Sequence, residues 1–291
     1  MKLAALRATY APLVQQHLTA QIQAIQVPAL KAAMAHLLGR GKLFRPLLTL
    51  AAYHALAEAD AKPHIPLITP LEMIHTFTLI HDDLPCMDDA DLRRGVPAVH
   101  HAHGEALAVL AGDALLNWAL YLVATTPTTL PAQTRLALVQ AATRATAAVV
   151  EGQVLDLQGE GANLDIAELE RVYRLKTGAL FGACLETAGA LAGQPDDRCE
   201  QLRELGEHLG IAFQVRDDLL SIESTEAQAG KTLSTDEAKQ KSTYPRALGI
   251  AAAKQELETR LNRVQAEISS FGFRDPAALQ EIVEEAGQRT R

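Results

Sequence analysis

The sequence is poor in aromatic residues and in cysteine. Phe, Trp and Tyr make up 4% of its 291 residues, and the three cysteines, Cys86, Cys184 and Cys199, stand far apart. An odd, widely spaced set predicts neither a disulfide framework nor a paired metal knuckle, and it favours a reducing, cytoplasmic setting. No signal peptide is expected, because Arg7 and Pro12 interrupt the stretch that would have to be apolar.

Long apolar runs and an excess of positive charge are lacking too. The formal net charge is −8, so there is no global electrostatic reason to expect a nucleic-acid partner. No apolar run approaches the roughly 20 residues needed to cross a bilayer, so stable membrane insertion is not expected. An acidic chain of this kind needs local basic clusters or metal ions to bind a polyanion.

Ala and Leu are abundant, and apolar residues recur with helical spacing along most of the chain. Alternating strand patterns are scarce. None of the breaks is long enough for an interdomain linker. The sequence therefore predicts one all-α domain over residues 1–291, a bundle of about ten helices. The predicted breaks fall at residues 39–41, 62–66, 127–131, 193–195 and 224–244.

The most informative stretch is residues 80–89, where Asp82, Asp83, Asp88 and Asp89 interrupt apolar helical sequence. On a regular helix Asp82 and Asp88 would lie about 120° apart. Pro85 removes a backbone donor, so we expect a bulge or kink that returns Asp88 to the face of Asp82. The alternative is a solvated acidic helix end. The apolar flanks disfavour it, because buried carboxylates need counter-ions.

A second acidic pair, Asp217 and Asp218, interrupts another apolar helix. If the two clusters face each other across a bundle, they form an acidic wall that multivalent cations would neutralise. Oxygen ligands alone suit Mg²⁺, which bridges carboxylates to substrate phosphates. The histidines His100, His101 and His103 lack a zinc pattern.

Compact basic groups supply the donors that phosphate binding needs. A basic residue on a helix is usually just solvated, but together these groups predict two anionic head groups. They are Lys42 with Arg45, Arg93 with Arg94, Lys176 with Thr177, and Lys231 with Lys241.

Seven short motifs follow one another along the chain: GKLFRP, DDLPCMDD, DLRRG, GEALAVLAGDALL, KTGAL, FQVRDDLL and KSTYP. In this order they resemble the motifs of the trans-prenyltransferases, or polyprenyl synthases, and most closely those of the bacterial farnesyl diphosphate synthases. The resemblance implies an all-α, isoprenoid synthase type bundle around a deep central cavity, usually in a homodimer. It implies Mg²⁺, three ions per active site, and isopentenyl diphosphate and an allylic diphosphate as substrates.

The resemblance also implies individual roles. Asp82, Asp88 and Asp217 match metal ligands. The isopentenyl diphosphate positions are Lys42, Arg45, His75 and Arg94, and those around the allylic diphosphate are Arg93, Lys176, Thr177, Gln214, Lys231 and Lys241. Catalysis would fall to Asp82, Asp88, Arg93, Lys176, Asp217 and Lys231.

The chain departs from the family pattern in two places. Arg40 and Leu43 break the usual Gly-Gly-Lys-Arg-x-Arg-Pro motif, and Ser221 stands where the second acidic motif normally ends in Asp. Serine supplies no charge, so we expect weaker binding of the third ion.

Product length is expected to depend on Phe77 and Thr78, which precede Asp82 on the same helix. Phe77 lies about 7.5 Å before it at the standard helical rise, where a ring can act as a floor for the growing chain. The alternative is an ordinary core phenylalanine.

The predicted reaction is ionisation, condensation and elimination, giving mainly (2E,6E)-farnesyl diphosphate from dimethylallyl and geranyl diphosphates. The alternatives are a geranyl or geranylgeranyl diphosphate synthase, a terpene cyclase, or a non-catalytic helical subunit. A cyclase has no need for a second diphosphate site, and the subunit reading takes support from Ser221.

Overall fold

The computed structural model describes residues 1–57, 59–223 and 241–289, and these are almost entirely helical. The predicted all-α class is confirmed. The α-helices in chain order are α1 Leu3–Gln23, α2 Pro28–Ala35, α3 Phe44–Leu56, α4 Ile65–Ile68, α5 Pro70–Asp82, α6 Val99–His103, α7 Glu105–Thr125, α8 Ala132–Gln158, α9 Ile166–Tyr173, α10 Ala179–Leu191, α11 Asp196–Glu223, α12 Tyr244–Leu248, α13 Ile250–Phe271 and α14 Ala277–Gln288. A 3₁₀ turn, Lys62–His64, precedes α4, and a π-helical turn, Arg174–Gly178, joins α9 to α10.

Most of the predicted breaks lie between helices, but residues 62–66 do not form one. Lys62–His64 is a 3₁₀ turn that continues directly into α4. Pro63 and Pro66 each stand near the start of a helical segment, where the missing N–H needs no helical partner. Most of the predicted 224–244 loop lies outside the described residues.

One pair of short strands was not anticipated. Strand β1 (Leu92–Arg93) pairs antiparallel with β2 (Val96–Pro97). Both turn residues, Arg94 and Gly95, have positive φ, at 55° and 76°. A two-residue hairpin turn favours this backbone conformation, although a positive φ is uncommon for arginine. The hairpin thus places two successive arginines beside the end of α5.

Helix α10 lies at the centre of the main hydrophobic core. It packs against α3, α8 and α11, and Phe181 in it is fully buried. The approach to α11 is close: a Cβ on Gly206 would lie 2.5 Å from the carbonyl oxygen of Phe181 and 2.7 Å from the Cα of Gly182. Glycine at this crossing lets the two backbones meet, and α11 then carries its acidic pair along one wall of a cavity. A second, smaller core joins α9, α11, α12 and α13.

Helix α7 corrects the expectation that no segment is long and apolar enough for a membrane. Glu105–Thr125 passes that test by length and composition, with a mean hydropathy of 1.7 in its most apolar window. Only 39% of that window is buried. The buried side packs against α5 and α2, so the helix belongs to the bundle while its outer face stays uncovered within one chain.

Candidate active site

A cavity of about 770 Å³ opens between α3, α5, α8, α11, the hairpin and the π-helical turn. This volume lies within the range of about 300–1,000 Å³ that is usual for small-molecule sites. The cavity brings together nearly all of the residues that the sequence predicted for the site. Those that line it are Lys42, Arg45, His75, Thr78, Asp82, Asp88, Arg93, Arg94, Lys176, Thr177, Gln214, Asp217 and Lys241.

Helix α5 ends at the first acidic motif and does not bulge through it, which corrects the expected kink. Its last residue is Asp82, and the chain then turns back. The backbone N–H of Asp88 donates to the carbonyl of Asp82 at 2.8 Å. This turn, not a helix face, brings the two carboxylates to one side. Burial raises the pKa of Asp82, against the effect of nearby Lys176.

The second aspartate of the motif has a supporting contact that sequence reasoning missed. Asp83 is fully buried and accepts hydrogen bonds from Arg93, including one of 2.9 Å from Nε. The ion pair fixes the arginine at the cavity wall. Burial works against the charge of Arg93, but Asp83 outweighs it and raises the arginine's pKa.

Arg94 is held in a similar way by a buried glutamate. Its guanidinium donates to Glu72 Oε1 at 3.0 Å and to the carbonyl of Leu37 at 2.9 Å. Glu72 on α5 is 1% exposed. A buried carboxylate in an apolar helix is a signal for a paired cation, and it identifies Glu72 as a site residue that the motifs did not show.

Arg45 and His75 complete this basic region. Arg45 lies over the ring of Phe181, 5.0 Å from its centroid, and burial lowers its pKa to about 10. The pKa of His75 lies well below its ordinary value because of burial and the nearby charges of Arg45, Arg94 and Arg93. The imidazole is therefore neutral at pH 7 and can both donate and accept a hydrogen bond.

Lys176 and Thr177 belong to the π-helical turn, a feature that is frequent at functional sites. Thr177 Oγ1 donates to Gln214 Oε1 at 2.9 Å. Lys176 Nζ donates to Asp156 Oδ2 at 2.6 Å. Asp82 and Asp156 raise the lysine's pKa despite its burial. The turn thereby presents an ammonium group and a hydroxyl group to the cavity.

The opposite wall carries the second acidic pair on α11. Arg289, which the sequence did not single out, donates to Asp217, with 2.6 Å between Nη2 and Oδ1. Asp218 accepts hydrogen bonds from the Tyr173 hydroxyl and from the N–H of Tyr244. Burial raises the pKa of Asp218 to about 7, although these hydrogen bonds favour its ionised form.

Three residues that the sequence singled out are not among those found to line the cavity. Phe77 is 6% exposed and belongs to the core, where its ring meets His81; it does not line the cavity, whereas its neighbour Thr78 does. The hydroxyl of Ser221 donates to the carbonyl of Asp218 at 2.7 Å. Lys231 lies outside the described residues.

The donor set fits Mg²⁺. Asp82, Asp88 and Asp217 offer only oxygen to the cavity, and cations of the same chain surround them. Among the described residues, no group of three or more His, Cys, Asp or Glu side chains is clustered tightly enough to hold a metal ion. A carboxylate pair that shares an ion with substrate phosphates matches the way in which proteins usually bind Mg²⁺.

Comparison with known proteins agrees with this geometry. A profile of the polyprenyl synthetase family matches residues 27–285. Farnesyl diphosphate synthase of Geobacillus stearothermophilus is 43% identical over 279 residues, covering 93% of this chain and 92% of that protein.

Two crystal structures share the fold over nearly the full length. The geranyltransferase of Helicobacter pylori, complexed with magnesium and isoprenyl diphosphate, matches with a TM-score of 0.82 at 27% identity, covering 96% of this chain and 95% of that one. The polyprenyl synthase of Caulobacter crescentus CB15, complexed with calcium and isoprenyl diphosphate, matches with a TM-score of 0.87 at 28% identity, covering 99% and 97%.

Proposed function

Because this chain belongs to the polyprenyl synthetase family, we propose that it condenses isopentenyl diphosphate with dimethylallyl and geranyl diphosphates, and that its main product is (2E,6E)-farnesyl diphosphate. Prenyl transfer itself follows from the family. The observation that carries the proposal is a single cavity with two basic regions on either side of acidic residues. Two diphosphates and their metal ions need this arrangement.

The acidic residues are proposed to bind the metal. Asp82 and Asp88 would hold Mg²⁺ at the first motif, and Asp217 would hold a third ion from the facing helix. When bound, Mg²⁺ stabilises the charge of the departing diphosphate. Ser221 adds no charge on the side of Asp217, and its hydroxyl is engaged with a backbone carbonyl.

The region around α3 and the hairpin is proposed to bind isopentenyl diphosphate. Lys42, Arg45 and Arg94 supply three positive charges, and neutral His75 supplies a hydrogen bond without adding repulsion among them. Glu72 fixes the fork of Arg94, so less side-chain entropy is lost on binding.

The π-helical turn and its surroundings are proposed to bind the allylic diphosphate. The positively charged groups of Arg93, Lys176 and Lys241 lie on the side of the cavity that carries the aspartates. Thr177 and Gln214 orient each other through their mutual hydrogen bond. Lys231 is assigned to this site from the family resemblance alone. Once the diphosphate departs, it lies beside the new carbon–carbon bond, and we assign to it the removal of the proton.

The length of the product is proposed to depend on α5. Thr78 lines the cavity one residue after Phe77. Phe77 itself is buried in the core next to this position, and we infer that its ring supports the cavity wall from behind. The side chain that limits the length of the growing chain would then lie in the core, behind the cavity wall.

We further propose that the active unit is a cytoplasmic homodimer of one-domain chains. The exposed apolar residues on the outer faces of α7 and α8 suit a second copy of the same surface. They are Val109, Leu110 and Tyr121 on α7 and Leu136, Val150 and Val154 on α8. Sedimentation of wild type and of Val150→Glu tests this assembly, and an unchanged sedimentation coefficient would contradict it.

The test of function is product analysis. Purified protein is incubated with Mg²⁺, isopentenyl diphosphate and each allylic primer in turn, and the chain length of the products is determined. We expect a C15 product and the release of one diphosphate for each isopentenyl diphosphate consumed, both abolished by a chelator. A cyclic hydrocarbon, or no consumption of isopentenyl diphosphate, would contradict the proposal in favour of a cyclase or a non-catalytic subunit.

Asp82→Ala is the matching variant. Loss of one metal carboxylate is expected to lower turnover by at least about 100-fold, because such electrostatic stabilisation is usually worth about 3 kcal/mol or more. A folded variant with near-normal turnover at saturating Mg²⁺ would exclude this role. Glu151→Gln, an exposed carboxylate on α8, serves as the control.

A further inference from the structure

One carboxylate in the cavity, Asp156 on α8, contacts two lysines at once. Its Oδ2 lies 2.6 Å from Lys176 Nζ and 3.5 Å from Lys241 Nζ. Lys241 also donates to Asp88 Oδ1 at 2.8 Å. The three side chains of Asp156, Lys176 and Lys241 are 13–21% exposed, so the ion pairs are largely removed from water.

The backbone places Asp156 there through a close crossing. A Cβ on Gly152, one helical turn earlier, would lie 2.3 Å from the backbone nitrogen of Lys176. Glycine therefore lets the π-helical turn lie directly against α8. At this separation the lysine side chain reaches along α8 to the carboxylate four residues further on.

The surroundings of Asp156 favour the charged form of its side chain. Although burial raises the pKa of Asp156, Lys176 and Lys241 outweigh it, and the pKa lies below its ordinary value. The carboxylate is therefore ionised at pH 7. Asp156, Lys176 and Lys241 taken by themselves carry one net positive charge, since a single carboxylate lies between two ammonium groups.

We propose that Asp156 is a positioning residue, which holds Lys176 and Lys241 on the wall of the cavity that faces the allylic diphosphate. The inference rests on the roles proposed above for the two lysines. Asp88 is itself assigned to the metal, and binding an ion there would weaken the hydrogen bond that it accepts from Lys241. Asp156 is the partner that keeps this lysine in the cavity when Asp88 is engaged.

The test uses Asp156→Asn, which keeps the shape and removes the charge, with Glu151→Gln as the matched control on the same helix. Steady-state kinetics and calorimetric binding of inorganic pyrophosphate in Mg²⁺ are measured on both. For Asp156→Asn we expect kcat to fall about 10- to 100-fold, the usual effect of displacing a catalytic group or losing its support. The KM for isopentenyl diphosphate should not change.

The affinity for pyrophosphate should fall about tenfold, because two lysine side chains that are no longer held must be ordered on binding. The same substitution in a Lys176→Met background should cause much less further loss, since residues that act through one another are not additive. Full additivity would overturn the inference.

Further outcomes separate the inference from its premise. If Lys176→Met and Lys241→Met bind pyrophosphate normally, the assigned allylic site is wrong. If both lysine variants bind poorly while Asp156→Asn behaves like Glu151→Gln, the inference alone is wrong. Tighter pyrophosphate binding with unchanged kcat would also overturn it, as would recovery of kcat at high Mg²⁺, the mark of a metal ligand.

Asp156→Glu decides the case if the asparagine variant does not fold. It keeps the charge but moves the carboxylate by one methylene group. A positioning role predicts a clear fall in kcat with the melting temperature unchanged. Wild-type kcat would show that charge alone matters and would refute the role.

Discussion

Replacing Gly152 by alanine tests whether the crossing of α8 and the π-helical turn sets the geometry of the site. The added Cβ would lie 2.3 Å from the nitrogen of Lys176, 2.6 Å from its Cα and 2.7 Å from the carbonyl carbon of Leu175. All three are backbone atoms, so no side-chain rotation relieves the overlap. The two segments must separate.

The size of the effect follows from these distances. Non-bonded carbon atoms prefer about 3.5–4.0 Å, so the backbones must move apart by about 1 Å. Overpacking of this kind costs about 1–3 kcal/mol, and the better helix propensity of alanine returns about 1 kcal/mol. The loss of stability should therefore be small. The effect on turnover should be larger, because a displacement of about 1 Å at Lys176 can lower turnover by about 100-fold.

The assay compares kcat for geranyl diphosphate with the melting temperature. Gly287→Ala in α14 is the control, because its Cβ would meet only a methyl group of Leu261, the end of a flexible side chain. We expect a large fall in kcat for Gly152→Ala alone, with both variants folded. A folded Gly152→Ala protein with kcat close to wild type would refute the reasoning.

Four further predictions follow from named contacts. Ser221→Asp should lower the Mg²⁺ concentration for half-maximal rate, and an unchanged requirement would count against a weakened third site. Phe77→Ser should shift products from C15 toward C20 by chain-length analysis, at a cost in stability of about 3–5 kcal/mol; products that still stop at C15 would leave the ring an ordinary core residue. In thiol titration at pH 8, exposed Cys86 should react fast, whereas burial raises the pKa of Cys184 to about 12 and of Cys199 to about 11 and should keep both slow; three equal rates would contradict this. The lowered pKa of His75 means that its stabilising effect is present above its ordinary value of 6.5 and is lost as pH falls below it; the free energy of unfolding should therefore decline less steeply with acid in His75→Gln, and equal slopes would disprove it.

Most of the residues that the sequence singled out line one cavity, and many of them could be found because they stand in short motifs of charged residues within apolar helical sequence. Lys42 and Arg45, for example, follow a glycine-rich break and open α3. Their convergence on one cavity was predicted from the family's motif order, and the structure places them there.

Other features depend on contacts that local sequence does not encode. Asp82 and Asp83 are adjacent and chemically identical, yet one faces the cavity and the other is buried against Arg93. The difference arises from the end of α5 and the turn that follows it. The expected bulge was wrong because the helix stops at Asp82, where the N–H of Asp88 caps its carbonyl.

Asp156 was missed for a similar reason. A single aspartate in a long amphipathic helix reads as a solvated side chain, and the π-helical turn that faces it has no signature in its own residues. The usable signal was the spacing of Gly152 and Asp156 by one helical turn, which marks a close crossing followed by a charge. Arg289 is still more remote, since 72 residues separate it from Asp217 and the contact exists only because α14 packs against α11.

An acidic chain can bind two diphosphates because pairing within the cavity, and not net charge, decides the local potential. The chain carries −8 overall, yet Arg93 and Arg94 at the cavity wall are each paired with a buried carboxylate. A buried pair of this kind offsets its own desolvation cost and still leaves guanidinium N–H groups directed into the cavity. The remaining acidic groups face cations across the cavity, as in the contact of Asp88 with Lys241. When a diphosphate enters with its metal ions, positive and negative partners are exchanged within the same space, so the site need not take up an uncompensated charge at any stage.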